Sequence, residues 1–343
     1  MKKNLRKIGM YALAITVMSA CQKDNNPPPT IVLGDTVQSM NLIGENAYVM
    51  VNNSAKIEVF STESFTNGYF ITNEGNYNSA NGSIYFVDQY NNSEEIDITP
   101  MHVNTIDVVS PRYMAKVSDD KAYVTDWGIN GVQVIDLLTN TISSTIACGT
   151  GPEGITVANG FAYVCNVGGW GLDNTVSVIN TTTDAVETTL TVGDKPNSVV
   201  VDANGAVWVL TGGFTEYDAD WNVVSETAGN LVKIVGNTIE ATYAFAVGNH
   251  PQDLVIDDAG TTLYYSDGSW SKAVYAFDVN DTALPTTALI NKSFYGLGVH
   301  GGYVYGTDAV DFTQSGWSYK YTTEGTIIDS VQVGIIPGGY CFN

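Results

Sequence analysis

A short apolar phrase, in most copies ending in Asn or Asp, recurs along this chain, and it limits the fold more than any other feature. It reads Ala122-Tyr-Val-Thr-Asp126, Ala162-Tyr-Val-Cys-Asn166, Val207-Trp-Val-Leu210, Leu263-Tyr-Tyr-Ser-Asp267 and Tyr303-Val-Tyr-Gly-Thr-Asp308. Earlier come Ala47-Tyr-Val-Met-Val-Asn52 and Tyr69-Phe-Ile-Thr-Asn73. β-branched and aromatic residues bounded by Asn, Gly and Asp clusters predict short strands joined by tight turns. In Pro152–Lys195 four such strands follow one another, with Asn159-Gly160 as the first turn. Each unit opens on Pro or a stand-in: Pro111, Pro152, Pro196, Pro251, Phe294 and Pro337. Their spacing runs from 41 (Pro111 to Pro152) to 55 residues (Pro196 to Pro251). A four-stranded repeat of about 40–45 residues is the pattern of β-propeller blades.

The count predicts a seven-bladed all-β propeller of four-stranded antiparallel blades. The unit at Tyr69 lacks an opening strand, and Pro337–Asn343 is an opening strand with nothing behind it. Together they complete one blade, so strands from both ends of the chain would close the ring and remove exposed sheet edges. The headless unit interrupts another: strands near Val37–Ile43, Ala47–Asn52 and Lys56–Ser61 find their fourth only at Thr105–Val109. Exchanging residues 33–66 with 67–104 would give a simpler order, so the threading of this stretch stays open. From Pro111 to Ile336 the blades read as regular. The longest carries an extra loop, Gly212–Gly229, and long loops on a regular scaffold are where function concentrates.

The 343 residues carry 36 acidic and 14 basic side chains, a formal net charge of −22. Such a surface repels a phosphate backbone and excludes nucleic acid as a partner. Residues 1–20 have a basic start (Lys2, Lys3, Arg6, Lys7) and a short apolar run ending in Met18-Ser19-Ala20-Cys21. This reads as a lipoprotein signal peptide with Cys21 as the lipidated residue, and the run is too short for a membrane span. Residues 21–32 form a Pro/Asn-rich tether, and 33–343 form the propeller. Cys148, Cys165 and Cys341 lack metal-type spacing. An exported chain permits a disulfide, so Cys148–Cys165 and free buried thiols both stay open.

Strands alternate in direction, so loops between second and third strands share a face with the links into each next blade. Those loops hold Trp127, Trp170, Trp221, Trp270 and Trp317, with Tyr77, Phe214, Tyr217 and Phe312. Aromatics gathered on one rim predict stacking against a broad, partly apolar ligand. The same face shows the residue after each opening proline at the channel mouth: Gln38, Arg112, Glu153, Asn197, Gln252, Tyr295 and Gly338. These side chains can hydrogen-bond a ligand edge. The candidate ligand-binding set is therefore Arg112, Trp127, Trp170, Asn197, Trp221, Gln252, Trp270, Tyr295, Phe312 and Trp317. No catalytic constellation is found. Gly296–Gly301 matches G-x-G-x-x-G but sits in a strand–turn–strand, with no helix for a pyrophosphate. Asp218–Asn222 imitates a calcium loop and leaves a calcium site open there, although Val223 stands where glycine belongs and Gly229 where the closing Glu belongs. His102, His250 and His300 are too scattered to predict a zinc site. Asp126, Asp267, Asp308 and Asp311 could form a carboxylate pair only if the fold joined them.

The blade phrases, with the Pro-Glu-Gly opening at Pro152, resemble YVTN or YncE-like propeller repeats. Phe70-Ile-Thr-Asn-Glu-Gly75, Ser110-Pro-Arg-Tyr113, Asp308-Ala-Val-Asp311 and Val333–Cys341 further resemble a group of Gram-negative surface lipoproteins that includes the cobalamin-capturing BtuG. That group places its Phe-Ile-Thr-Asn-Glu-Gly unit first, whereas here it comes second. The resemblance implies a lipid-anchored outer-membrane protein facing outward. It would capture a bulky ligand, cobalamin or another corrinoid, without any cofactor of its own, and pass it to a TonB-dependent-type transporter. Two other classes remain open: a metal-dependent lyase or lactonase propeller, and a protein-binding adhesion or scaffold propeller.

Overall fold

The computed structural model describes residues 36–51, 55–63, 65, 67–74, 83–96, 101–267 and 273–342. The signal peptide, Cys21, the tether, Tyr77 and Trp270 lie outside them. Seven antiparallel blades form a β-propeller. Numbered around the ring from Val37, blade I comprises Val37–Ile43, Asn46–Val51, Lys56–Ser61 and His102–Asp107. Blade II runs from Pro111–Lys116 to Thr141–Ala147, blade III from Pro152–Ala158 to Ala185–Thr191, and blade IV from Pro196–Val201 to Thr238–Ala244. Blade V holds Gln252–Ile256, Thr262–Ser266 and Val274–Asp278, and blade VI runs from Gly296–His300 to Ile327–Ile335. Blade VII joins Pro337–Phe342 to Gly68–Asn73, Ser83–Asp88 and Ser93–Glu95. The seven first strands touch in an unbroken cycle, which makes them the channel wall.

The closing blade is as the repeat count predicts. Pro337 pairs with Asn73, Tyr340 with Ile71 and Phe342 with Tyr69, so a C-terminal strand heads an N-terminal unit. The threading also resolves. The chain builds three strands of blade I, crosses to lay down three strands of blade VII, then returns to add His102–Asp107 as the fourth strand of blade I. That strand begins three residues earlier than the sequence suggests. Blade V departs from the expected regularity: past Val279 its outer edge is irregular and, among the described residues, meets the ladder at Val274, through Leu289 and Ile290. The segment there, Asp281-Thr-Ala-Leu-Pro-Thr-Thr287, lacks alternation, and Pro285 has no N–H to give a ladder.

Each recurring phrase is buried on both faces because it is sandwiched between blades. In Phe161–Asn166, Ala162 and Val164 pack with Tyr123, Val132 and Val134 of blade II. Tyr163 and Cys165, one residue out of phase, pack with Val207, Val209 and Val232 of blade IV. Side chains alternate across a strand, so a central strand between two blades must be apolar at every position. Each such burial contributes about 1.5–3 kcal/mol. The outermost strands, such as Ala185–Thr191, are exposed and rich in Thr and Glu, which blunts them as aggregation edges.

The phrase also carries the blade-to-blade latch. Tyr48 donates its hydroxyl to Asn140 Oδ1 at 2.8 Å in the outer turn of the next blade. Tyr123 and Tyr163 do the same to Asp184 and Asn237. All three acceptors hold a left-handed backbone, with φ of 51°, 53° and 63°, a conformation that Asn and Asp tolerate best among residues with a Cβ. At the far end of the phrase, Asp126 accepts from the amides of Val109, Ser110 and Gly128 and from Gln133. It ties the end of the second strand to the link from the previous blade. All three cysteines are free, with Cys165 buried and Cys148 and Cys341 half-buried.

Candidate functional site

Links between blades and the loops between second and third strands meet on one face. Trp127 N bonds Ser110 O, Gly168 N bonds Thr150 O, and Gly213 N bonds Asp194 O. The opposite face carries tight hairpins such as Asn159-Gly160, whose φ angles of 52° and 81° suit Asn-Gly in a two-residue turn. The described loops that bear Trp127, Trp170 and Trp221 therefore share a side, as the alternation of strand direction requires. Only Trp208 of the described tryptophans lies in the core, fully buried with its indole N–H on Asp202.

The described aromatics of the candidate set form separate stations around this rim. At blades II and III, Trp170 stands fully exposed with its edge against Trp127, ring centroids 6.3 Å apart. The Trp127 ring carries the Arg112 guanidinium 4.4 Å above its centroid, and the Trp127 Nε1 hydrogen is buried without a partner. Lys195 holds the Trp170 loop by donating to the carbonyls of Gly169 and Gly171. At blade IV the long loop is a β-hairpin, Thr215–Tyr217 with Val223–Glu226. It presents Trp221, 81% exposed, beside Tyr217. At blade VI, Phe312 packs edge-on against Tyr295 at 5.6 Å. Trp317, expected in a loop, is instead the third residue of the strand Ser315–Thr322 of that blade, paired with Asp308.

The channel mouth has two unlike halves. On the side of blades I to III, Arg112 forks onto Glu153 at 2.7 and 2.9 Å and donates to Gln38 Oε1 at 2.6 Å. Such bidentate pairs are strong and directional. Burial works against the guanidinium charge, but Glu153 outweighs it and raises its pKa. On the side of blades V to VII, Tyr295 donates its hydroxyl to Glu74 at 3.0 Å. Burial raises the Glu74 pKa against the pull of Tyr295 and Arg112. Asp253, next to Gln252, is pushed up to about 7 by burial and by the charge of Glu74. Gly338 opens blade VII because Glu74 lies over it; a Cβ there would meet Glu74 Oε1 at 3.0 Å.

Below the mouth lies a cavity of about 240 Å³ lined from all seven blades. Its polar part includes Gln38, Tyr113, Asn197 and Asp253, and its apolar part Met40, Val199, Leu254 and Leu297. Asn197 is half committed already, since its amide donates to Pro251 O at 3.1 Å and its carbonyl accepts from Ser198 at 2.6 Å. It ties blades IV and V rather than standing free. Gln252 is exposed at the rim. Glu74, Tyr113 and Asp253 are the mouth residues that sequence reasoning passed over. A rule covering the second residue after each opening proline would have found Tyr113 and Asp253.

The other acidic candidates do not converge. Asp126 is consumed as an amide acceptor, Asp308 pairs with Lys292 at 2.8 Å, and Asp311 caps its own turn through Thr313 and Gln314. Asp218 likewise serves its own turn, accepting from the Asp220 and Asn222 amides and the Asn222 side chain. Among the described residues no group of three or more His, Cys, Asp or Glu is placed to hold a metal ion.

The fold defines the chain as a seven-bladed β-propeller. It is similar to a solved chain of hydrazine synthase from Kuenenia stuttgartiensis, with a TM-score of 0.59 over 94% of this chain and 92% of that one. Their sequence identity is 12%, so the likeness concerns architecture. No protein-family model and no curated protein matches the sequence.

Proposed function

We propose that this propeller is a ligand-capture lipoprotein of the outer membrane, anchored through Cys21 and facing outward. Its aromatic rim takes up a bulky, flat ligand with a hydrogen-bonding edge, a corrinoid such as cobalamin being the leading candidate. The ligand then passes to an outer-membrane transporter. The observation that carries the reading is the station at blades II and III. There a fully exposed Trp170 rests on Trp127, itself stacked under a fixed Arg112. Exposed indole surface of this size on a rigid wall has no folding role and is a ready platform for stacking. Exposed Trp221 and half-exposed Phe312 offer further contacts on the same side.

The test is co-elution of cyanocobalamin colour with purified protein on gel filtration, followed by titration of tryptophan fluorescence. Trp170→Ala is expected to weaken binding about tenfold or more, as for an interface hot spot, with the thermal midpoint unchanged. Absence of co-eluting colour would remove the corrinoid assignment. A wider thermal-shift screen with haem and glycans would then test the rim itself.

A further inference from the structure

A cavity, a strained backbone and an unpartnered carboxylate coincide below the rim, and the capture reading uses none of them. Asp253 is the only second residue of a first strand to hold a left-handed backbone, φ 58°, among the described residues. That region is uncommon for a residue with a Cβ, even for Asp, and is held where the surroundings impose it. Its neighbour fixes it there, since Leu254 N donates to Ser198 Oγ at 3.0 Å in the adjoining blade. The result is a carboxylate that lines the cavity with its Oδ2 buried and without a hydrogen-bond partner.

Charge around it is unbalanced. The groups that act on it or share its cavity mouth are Glu74, Glu153, Arg112, Tyr113 and Tyr295. Arg112, the cation among them, is already forked onto Glu153 and Gln38, and Glu74 holds the Tyr295 hydroxyl, so it is Asp253 whose buried Oδ2 is left without a partner. Beneath them the wall turns apolar, with Met40, Ile155, Val199, Leu254 and Leu297. A hydrated inorganic ion would gain nothing from such a girdle, whereas an alkyl chain would. Buried charges are stable when paired, and cavities with an apolar body and a few polar groups orient amphipathic ligands.

We infer that the upper channel is a binding site for a small organic cation, a primary alkylammonium group, with Asp253 as its counter-ion and the ring of Met40, Val199, Leu254 and Leu297 around its chain. The site does not depend on what the rim captures.

Isothermal titration of the full folded domain with n-butylammonium chloride at pH 8 and about 0.15 M salt tests this. At that pH the Asp253 carboxyl is ionised and an alkylamine, like a lysine side chain, is still charged. The salt screens the diffuse attraction of any cation to an acidic surface. Saturable one-to-one binding is expected, with n-butanol and sodium chloride giving at least tenfold weaker responses. Asp253→Asn should lose tenfold or more, and Asp119→Asn, a fully exposed control, should change nothing. Thermal midpoints of both variants show that they are folded. Should Asp253→Asn misfold, competition by butanol and sodium against butylammonium on the wild type still decides the case. Non-saturable binding, equal losses in the two variants, or equal affinity for butanol would each overturn the inference.

Discussion

Arg112 shows how one side chain can serve fold and site together. It bridges blades I, II and III at the mouth and lies over Trp127. Glu153, its partner, is only 8% exposed, and a buried carboxylate stripped of its cation costs about 3–5 kcal/mol. Arg112→Ala is therefore expected to lose that much stability in urea unfolding, with Arg112→Ala/Glu153→Gln recovering most of it. A loss below about 1 kcal/mol for the single variant would show that the pair behaves as a solvated one. Asp253 makes the opposite kind of statement. Folded, it keeps its proton to about 7 rather than the ordinary 3.8, so across that window the native state binds more protons than the unfolded chain. Stability is then fully present below about 4 and declines as pH rises through about 7. Asp253→Asn should flatten the fall in thermal midpoint between pH 5 and 8. Parallel curves for the two proteins would refute this. Neither effect could be read from the sequence, where Arg112 is one candidate among seven mouth residues and Asp253 follows a glutamine without distinction.

At the scale of elements, the recurring Tyr of the second strand does two jobs at opposite ends of its side chain. Its ring fills the wedge between blades, and its hydroxyl closes on the outer turn of the next blade. The partner sets the strength. Tyr123 meets the Asp184 carboxylate, which also pairs with Lys121 at 2.7 Å, whereas Tyr48 meets a neutral amide. Hydrogen bonds to charged groups are worth about 1.5–3 kcal/mol and neutral ones about 0.5–1.5. Tyr123→Phe should therefore cost about twice as much as Tyr48→Phe in chemical denaturation; the reverse order would sink the latch argument. The blade IV hairpin behaves differently. It projects from the rim, and Trp221 at its turn is largely exposed with a left-handed φ of 66°. Trp221→Gly is expected to leave stability within about 0.5 kcal/mol while lowering affinity for any ligand that uses the rim. A sequence gives the length of such an insertion, but a hairpin with three- and four-residue strands carries too little alternation to be legible.

At the scale of the whole molecule the decisive contact is Pro337–Phe342 on Gly68–Asn73. Blades II to VI are each built within one stretch of chain, and blade I is interrupted only by the crossing to blade VII, whereas blade VII itself joins residues more than 260 positions apart. Removing residues 337–343 would leave the inner strand position of blade VII empty and expose a full ladder of unpaired groups. The truncated chain is expected to lose its cooperative thermal transition and to elute as aggregates. A truncated monomer with an unchanged midpoint would show that the ring is held by its other six blades.

The chain's repeats were enough to settle the propeller fold, the blade number and the closing of the ring by both ends, but not the threading of its first units or the irregular edge of blade V. These follow from local alternation and turn chemistry, which each repeat restates. What needed tertiary structure was everything set by proximity between repeats. Trp127 stacks with Arg112, Glu74 lies over Gly338, and Asn197 is occupied by the next blade, because a seven-fold ring places side chains from distant repeats within hydrogen-bonding reach. A linear sequence carries the period of a propeller but not the radius at which its strands meet. It is that radius which gathers Glu74 and the unpartnered Asp253 over an apolar channel.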